Sequence, residues 1–427
     1  MTYVSPVIGE RNDALSVGAR GVRGEADPNF LCAVRAFSSL FPHPRLGGGA
    51  LAIYLDGKPV VDVWTGFSDR RGRRHWNADT GTMVFSATKG MASTVIHRLV
   101  DRGLIDYETP VAEYWPDFAA KGKAGVTVRE LMRHRAGLSS LNGTTKAELM
   151  DHLLMEERMA AAPMGIFKGR PAYHALTYGW LMSGLARAVT GQGMRDLFRS
   201  ELAQPLNTDG IHLGRPPVDA PTQPARIIGP QSKLQNPIFN LVAPRIAGLP
   251  FSGGFGSLYF PGMKASVQGD IPLLDTELPA ANGIATARGL ARMYGAIANR
   301  GEIDGARFLS ERVVDLLTGE PSLHPDGSIL LPMSFNLGYH SLPLGNILPG
   351  FGHVGLGGSL GWADPVTGLA FGFVHNRLLT PMVVGDQAGF VAMAALIRRG
   401  VTLARRNGFA PVTEFGAPFP QRTPAAV

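Results

Sequence analysis

Val84-Phe85-Ser86-Ala87-Thr88-Lys89-Gly90-Met91 is the stretch on which the reading of this chain turns. After Ser86 the apolar residues Met91, Val95, Ile96, Leu99 and Val100 recur at helical spacing, and Gly103 follows as a C-cap, so a helix is predicted from Ser86 to Arg102. Ser86 then falls at a helix N-terminus, where outward-pointing N–H groups and the helix dipole favour developing negative charge. Lys89 lies one turn on, on the same face, with its amine in reach of the hydroxyl. A serine hydroxyl is a poor nucleophile at neutral pH and needs a base, a positive field and donors for the oxyanion. Read alone, the pair fits an N-cap serine beside a solvated lysine at least as well. No other lysine in the chain has a serine three residues before it.

Upstream, Pro28 to Phe41 reads as a helix with Asp27 as N-cap and Phe30, Leu31, Val34, Phe37 and Leu40 on one face. Ala50–Leu55 and Pro59–Trp64 are β-prone runs joined by Asp56-Gly57-Lys58, a hairpin signal. From Pro110 to about Ala281 the pattern is mainly helical with long loops, including helices near Val128 to Arg133 and Tyr178 to Thr190. Beyond Asn282-Gly283, a helix over Ala287 to Asn299 leads into strand-like runs at Phe335–Tyr339, Phe351–Leu356, Gly358–Ala363 and Leu369–His375. An apolar helix follows at Gly389 to Arg399. Residues 1 to about 26, and those from about Gly408 onward, are expected as irregular surface segments. The pattern is α+β: 1–115 and 282–427 are expected to form one α/β unit, with 116–281 as an inserted helical lobe.

Composition narrows the function classes. The 427 residues are 45% hydrophobic and 18% charged, with 54 Gly and 32 Pro, which suits a compact, loop-rich enzyme and argues against solenoids and coiled coils. The net charge of +7 is dispersed, except at Arg70-Arg71-Gly72-Arg73-Arg74-His75, which reads as a solvated loop because no nucleic-acid motif accompanies it. A lone cysteine, Cys32, rules out an internal disulfide framework and reads as a core thiol. No secretory signal pattern opens the sequence and no apolar run is long enough for a membrane helix. A cytoplasmic protein is expected by default, with cell-envelope association left open. The histidines show no metal-ligand spacing, and neither Walker A nor a placed Gly-x-Gly-x-x-Gly occurs, so neither metal nor cofactor is expected.

The stretches Ser86-Ala87-Thr88-Lys89, Leu104-Ile105-Asp106-Tyr107-Glu108-Thr109-Pro110-Val111-Ala112-Glu113-Tyr114-Trp115-Pro116 and Val128-Arg129-Glu130-Leu131-Met132-Arg133-His134-Arg135-Ala136-Gly137-Leu138 carry a resemblance. From about Pro28 to Arg399 the chain resembles the serine β-lactamase and penicillin-binding-protein superfamily, and within it the family VIII carboxylesterases. The resemblance implies a β-lactamase-like fold, an antiparallel sheet flanked by helices from both chain ends with a helical lobe inserted. It implies Ser86, Lys89 and Tyr173 as the catalytic set, Tyr173 coming from Tyr173-His174-Ala175 and becoming useful as a base when Lys89 stabilises its phenolate. Tyr178 competes for that role. His353-Val354-Gly355-Leu356 stands where the β-lactamases carry Lys-Thr-Gly. By resemblance, His353 and Gly355 line the substrate site, and the Leu356 N–H joins that of Ser86 as the oxyanion hole.

Two departures, His353 for a lysine and Ala175 for an asparagine, remove a permanent charge and a polar contact, and both favour esters over β-lactams. Gly357-Gly358-Ser359-Leu360-Gly361 fits the Gly-x-Ser-x-Gly nucleophile elbow, but Trp362-Ala363-Asp364-Pro365 follows it as strand and turn where that motif needs a helix. The expected function is hydrolysis of short- to medium-chain carboxylic esters through a Ser86 acyl-enzyme, on a small-molecule ester or lipid substrate. The rivals are a β-lactamase or D-Ala-D-Ala peptidase, and a binding protein on a relic fold. Nucleic acid is not an expected partner, and oligomeric state is left undetermined.

Overall fold

The computed structural model describes residues 15–16, 21–43, 46–141, 143–229, 271–319, 325–329, 332–342, 348–378, 383–413 and 416–420. The first third runs β1 (Leu15–Ser16), β2 (Gly21–Ala26), α1 (Leu31–Ser39), β3 (Gly48–Leu55), β4 (Lys58–Gly66), β5 (Thr80–Met83) and α2 (Thr88–Asp101). The middle is mainly helical: α3 (Val111–Tyr114), α4 (Val128–Met132), α5 (Lys146–Leu149), α6 (His152–Ala161), α7 (Thr177–Thr190) and α8 (Met194–Leu197), then β6 (Ile211–Leu213) and β7 (Gln223–Pro224). The last third runs β8 (Gly283–Ala285), α9 (Ala287–Ala298), β9 (Glu302–Ile303), β10 (Ala306–Arg307), α10 (Glu311–Leu317), β11 (Ser334–Asn336), β12 (Tyr339–Ser341), β13 (Phe351–Val354), β14 (Leu360–Asp364), β15 (Leu369–His375) and α11 (Val383–Asn407).

Nine strands form an antiparallel sheet in the order β1-β2-β4-β3-β15-β14-β13-β12-β11. The seam between the two chain ends is β3 against β15, in the register Ile53↔Phe371 and Ala52↔Gly372. Side chains alternate across a strand, so β3 feeds two cores. Leu51, Ile53 and Leu55 join Phe30, Phe37 and Ile397 of the layer built by α1 and α11, while Ala50, Ala52 and Tyr54 face Leu290 and Tyr294 of α9. Each fully buried Leu, Ile or Phe contributes about 1.5–3 kcal/mol. Asp27 caps the turn leading into α1, its Oδ1 accepting from Asn29 N at 2.9 Å, an arrangement worth about 1 kcal/mol. Asp56 (φ 51°) and Gly57 (φ 72°) turn the β3–β4 hairpin with two left-handed residues, as its twist demands.

Three expectations are corrected. Residues 21–26 are a strand, not an irregular segment: β2 pairs with β4 in the register Arg23↔Trp64. Its inward positions are Val22, Gly24 and Ala26, with only one sizeable apolar side chain to announce the alternation. Phe335–Tyr339 is not one strand but the hairpin β11–β12, broken at Leu337 (φ 47°) and Gly338 (φ 83°), a left-handed leucine that sequence does not signal. Cys32 is exposed on α1, whose buried face carries Ala33, Val34 and Phe37. The loop holding Arg70, Arg71, Arg73 and Arg74 is exposed, as a solvated loop should be. Among the described residues no helix is long and apolar enough to cross a membrane.

A second, four-stranded sheet, β6-β8-β5-β7, aims the chain into α2. β5 pairs with β8, and Val84 N continues the ladder by donating to Gly283 O at 2.9 Å. Ser86 is two residues beyond that anchor.

Candidate active site

Between Val84 and α2 the chain makes one tight 3-10 turn, Phe85–Ala87, with Ala87 N donating to Val84 O at 3.1 Å. Phe85 adopts φ 48°, a left-handed conformation that a bulky L-residue holds only when its surroundings impose it. Ser86, half-buried, is thereby presented at the start of a helix whose residues from Thr88 through His97 are all buried.

Lys89 is fully buried. Its Nζ lies 2.6 Å from Ala175 O, 2.9 Å from Ala280 O and 3.3 Å from Ser86 Oγ. Burial holds the amine well below the ordinary lysine range. A neutral amine has two N–H groups and one lone pair. The two carbonyls can only accept, so in the neutral form that burial favours they take both N–H groups, and the lone pair faces the Ser86 hydroxyl.

Tyr173 is buried, with its phenol close enough to the Ser86 hydroxyl for that group to draw its pKa down. Lys89 Nζ sits 4.8 Å from its ring centroid. Burial, and then the negative charge of Asp326, push the phenol above its ordinary value, and the Ser86 hydroxyl offsets this only in part. Burial thus favours a neutral phenol over the phenolate anticipated from sequence, as it favours the neutral amine at Lys89. Tyr178, the competitor, is committed elsewhere: its hydroxyl pairs with Ser93 Oγ at 2.7 Å, one turn beyond Lys89. Ala175, placed where the related motif has asparagine, contributes its backbone carbonyl to Lys89.

The third motif reaches Ser86 from β13. The His353 Cβ packs against the first turn of α2, 3.4 Å from where a side chain on Gly90 would begin. Its ring is 6.2 Å from that of Tyr173. Its Nδ1 is 3.1 Å from its neighbour's carbonyl, Val354 O, so Nδ1–H donates there and Nε2 is the bare acceptor, buried without a partner among the described residues. Burial, with His340 and Lys89 nearby, drives its pKa well down and keeps the ring neutral. At Gly355 a Cβ would stand 2.1 Å from Val84 O, so only glycine lets this strand end pass the turn that presents Ser86. Leu356, partly exposed, follows directly.

Ser359 sits in a different setting. It precedes a strand, β14, and its Oγ accepts the backbone N–H of His375 at 3.2 Å. His375 itself donates from Nε2 to Gly357 O at 2.7 Å and accepts Arg377 N–H at Nδ1 at 3.2 Å, so it has no lone pair to offer as a base.

Sequence reasoning missed the layer behind the site. His134 Nδ1 accepts His174 N–H at 3.0 Å and Asp326 Oδ1 accepts Tyr173 N–H at 3.0 Å, pinning the backbone that carries the tyrosine. Phe335 stacks on Tyr173 with centroids 5.3 Å apart, and His340 meets His353 edge-on at 4.8 Å. Burial lowers His174 to about 4 and His340 to about 3, so these rings are neutral too. His134 lies in a stretch that carried the family resemblance, Phe335 in a run read only as strand-like, and Asp326 in a stretch that gave no signal. Among the described residues no group of three or more His, Cys, Asp or Glu is arranged to hold a metal ion.

Comparison with known proteins places this geometry. A family profile described as beta-lactamase matches residues 34–396. The chain is 63% identical over 408 residues, 95% of each chain, to Esterase/beta-lactamase LipL of Mycobacterium tuberculosis (strain ATCC 25618 / H37Rv). Among solved structures it is similar to a family VIII carboxylesterase, 30% identical with a TM-score of 0.76 over 88% of this chain and 99% of that one. A penicillin-binding protein homologue from Caulobacter crescentus, 28% identical, superposes with a TM-score of 0.73 over 89% of this chain and 99% of that one.

Proposed function

Because the chain belongs to the beta-lactamase family, we propose that it is a serine esterase in which Ser86 is the nucleophile, Lys89 the base and Tyr173 the proton donor to the leaving group. The observation that carries this reading is the buried junction at Lys89 Nζ, where two backbone carbonyls and the Ser86 hydroxyl meet an amine that burial drives toward its neutral form; once neutral, it gives both N–H groups to the carbonyls and turns its lone pair to Ser86. Lys89 takes the hydroxyl proton as Ser86 Oγ attacks the ester carbonyl. The N–H groups of Ser86 and Leu356 hold the oxyanion at the helix start. As the C–O bond to the alcohol breaks, the Tyr173 phenol gives its proton to the departing alkoxide and recovers one from Lys89. Water then attacks the acyl-enzyme by the same route in reverse, releasing the carboxylic acid and restoring Ser86.

The neutral wall formed by His353 and His340 supplies no fixed cation for a substrate carboxylate. Neutral carboxylic esters, of short to medium acyl length, are the substrates this site suits, with the helices between 116 and 229 shaping the acyl pocket. The test is a p-nitrophenyl ester series of increasing acyl length run beside nitrocefin. Ester turnover well above nitrocefin turnover at matched concentrations is expected, and comparable efficiencies would favour a β-lactamase.

A further inference from the structure

Tyr173 precedes α7 in a segment without regular structure, yet it must hold its phenol on Ser86. The segment is tied to a second loop. Asp326 is 1% exposed, and its Oδ1 accepts three backbone N–H groups: Tyr173 at 3.0 Å, Ser328 at 2.8 Å and Ile329 at 3.1 Å. Gly327 N donates back to Pro171 O at 3.0 Å, so the two loops are joined on both sides of the aspartate. Its second oxygen, Oδ2, is buried with no hydrogen-bond partner among the described residues. A buried carboxylate is costly to keep, and N–H donors are what offset that cost. Turn formation accounts for the bonds to Ser328 and Ile329, two and three residues on, as in an Asx turn. It does not account for the bond to Tyr173, 153 residues away in sequence.

We infer that Asp326 is a positioning residue for the reaction, fixing the backbone of Tyr173 so that its phenol stays on the Ser86 hydroxyl. This rests on the role given to Tyr173 above. The carboxylate acts at two points: Oδ1 sets where the Tyr173 main chain lies, and its charge lies near enough to disfavour ionisation of the phenol. Both keep Tyr173 a hydrogen-bond donor.

The experiment is a double-mutant cycle on the full chain, reading kcat and KM for p-nitrophenyl butyrate together with thermal unfolding. Asp326→Ala is expected to lower kcat about tenfold to a hundredfold with little change in KM, the size of effect that misplacing a reacting group produces. Asp326→Asn, whose amide oxygen still accepts the three N–H groups, should recover most of that loss. In a Tyr173→Phe background, Asp326→Ala should cost nothing further, because the group it positions is already gone. A full multiplicative loss in both backgrounds would overturn the proposal, since a purely structural aspartate would behave that way. So would Asp326→Ala at wild-type kcat while Tyr173→Phe is impaired. Wild-type kcat in Tyr173→Phe alone would instead overturn the role of Tyr173, and the proposal with it. If the Asp326→Ala chain does not fold, Asp326→Ser, with one hydroxyl left to accept, takes its place under the same expectations.

Discussion

Two serines in this chain lie in sequences that suit a hydrolase, and their surroundings make them opposites. Ser86 follows a strained left-handed Phe85, opens a buried helix and faces an amine whose other hydrogen-bonding positions are filled. Ser359 follows two left-handed glycines and opens a strand, and its nearest imidazole has both nitrogens committed. Each serine is small, polar and flanked by residues that permit tight turns. On the proposed mechanism the difference is whether a lone pair is left over for the hydroxyl proton.

Removing the two hydroxyls in turn is the sharpest way to break this contrast. Ser86→Ala should abolish hydrolysis of a p-nitrophenyl ester, a loss of about a thousandfold to a millionfold, whereas Ser359→Ala should keep most of the turnover. The reverse pattern would sink the contrast. Next in size, Lys89→Met should cost about a hundredfold to ten-thousandfold in kcat, the range for losing a general base. The acid limb of the wild-type pH–rate profile should belong to Lys89: activity rises with pH as the depressed amine loses its proton, and the residual activity of Lys89→Met should lack that limb. An acid limb unchanged in the variant would assign it to another group.

Stability should follow the buried histidines. His97, His340 and His375 are held at about 3 and His174 at about 4, against 6.5 for a free side chain. Between those values the unfolded chain binds more protons than the native one, so stability is intact above about pH 6.5 and is lost as pH falls toward the native values, by about 1.4 kcal/mol per pH unit for each histidine. Thermal unfolding followed from pH 7 to pH 5 should show a steep fall in Tm, and a flat profile would contradict neutral burial. The smallest effect is the loss of the Ser359 hydrogen bond, about 0.5–1.5 kcal/mol in Ser359→Ala by denaturant unfolding.

Much of this was legible in the residues, for reasons that also explain the gaps. The α2 periodicity, the Asp56-Gly57 hairpin and the Ser86–Lys89 spacing are local patterns, and local patterns survive in a linear reading. Tyr173 and His353 are far from Ser86 in sequence and were reached only through family resemblance. The Ala280 carbonyl, which takes one of the Lys89 N–H groups, has no residue-type signature, because any residue carries a carbonyl. Burial of Lys89 and Tyr173 works against the ammonium and phenolate anticipated from sequence and favours an amine and a phenol. Asp326 lies in a loop that gave no periodic signal, and its importance comes from a contact made across the fold.

The central claim is that Ser86 carries the acyl group, and it can be read by trapping. The wild-type chain is treated with a fluorophosphonate, digested, and the modified peptide located by tandem mass spectrometry. The account predicts one stoichiometric adduct on Ser86, absent in Ser86→Ala. An adduct on Ser359, or a chain that takes up no label while correctly folded, would contradict it.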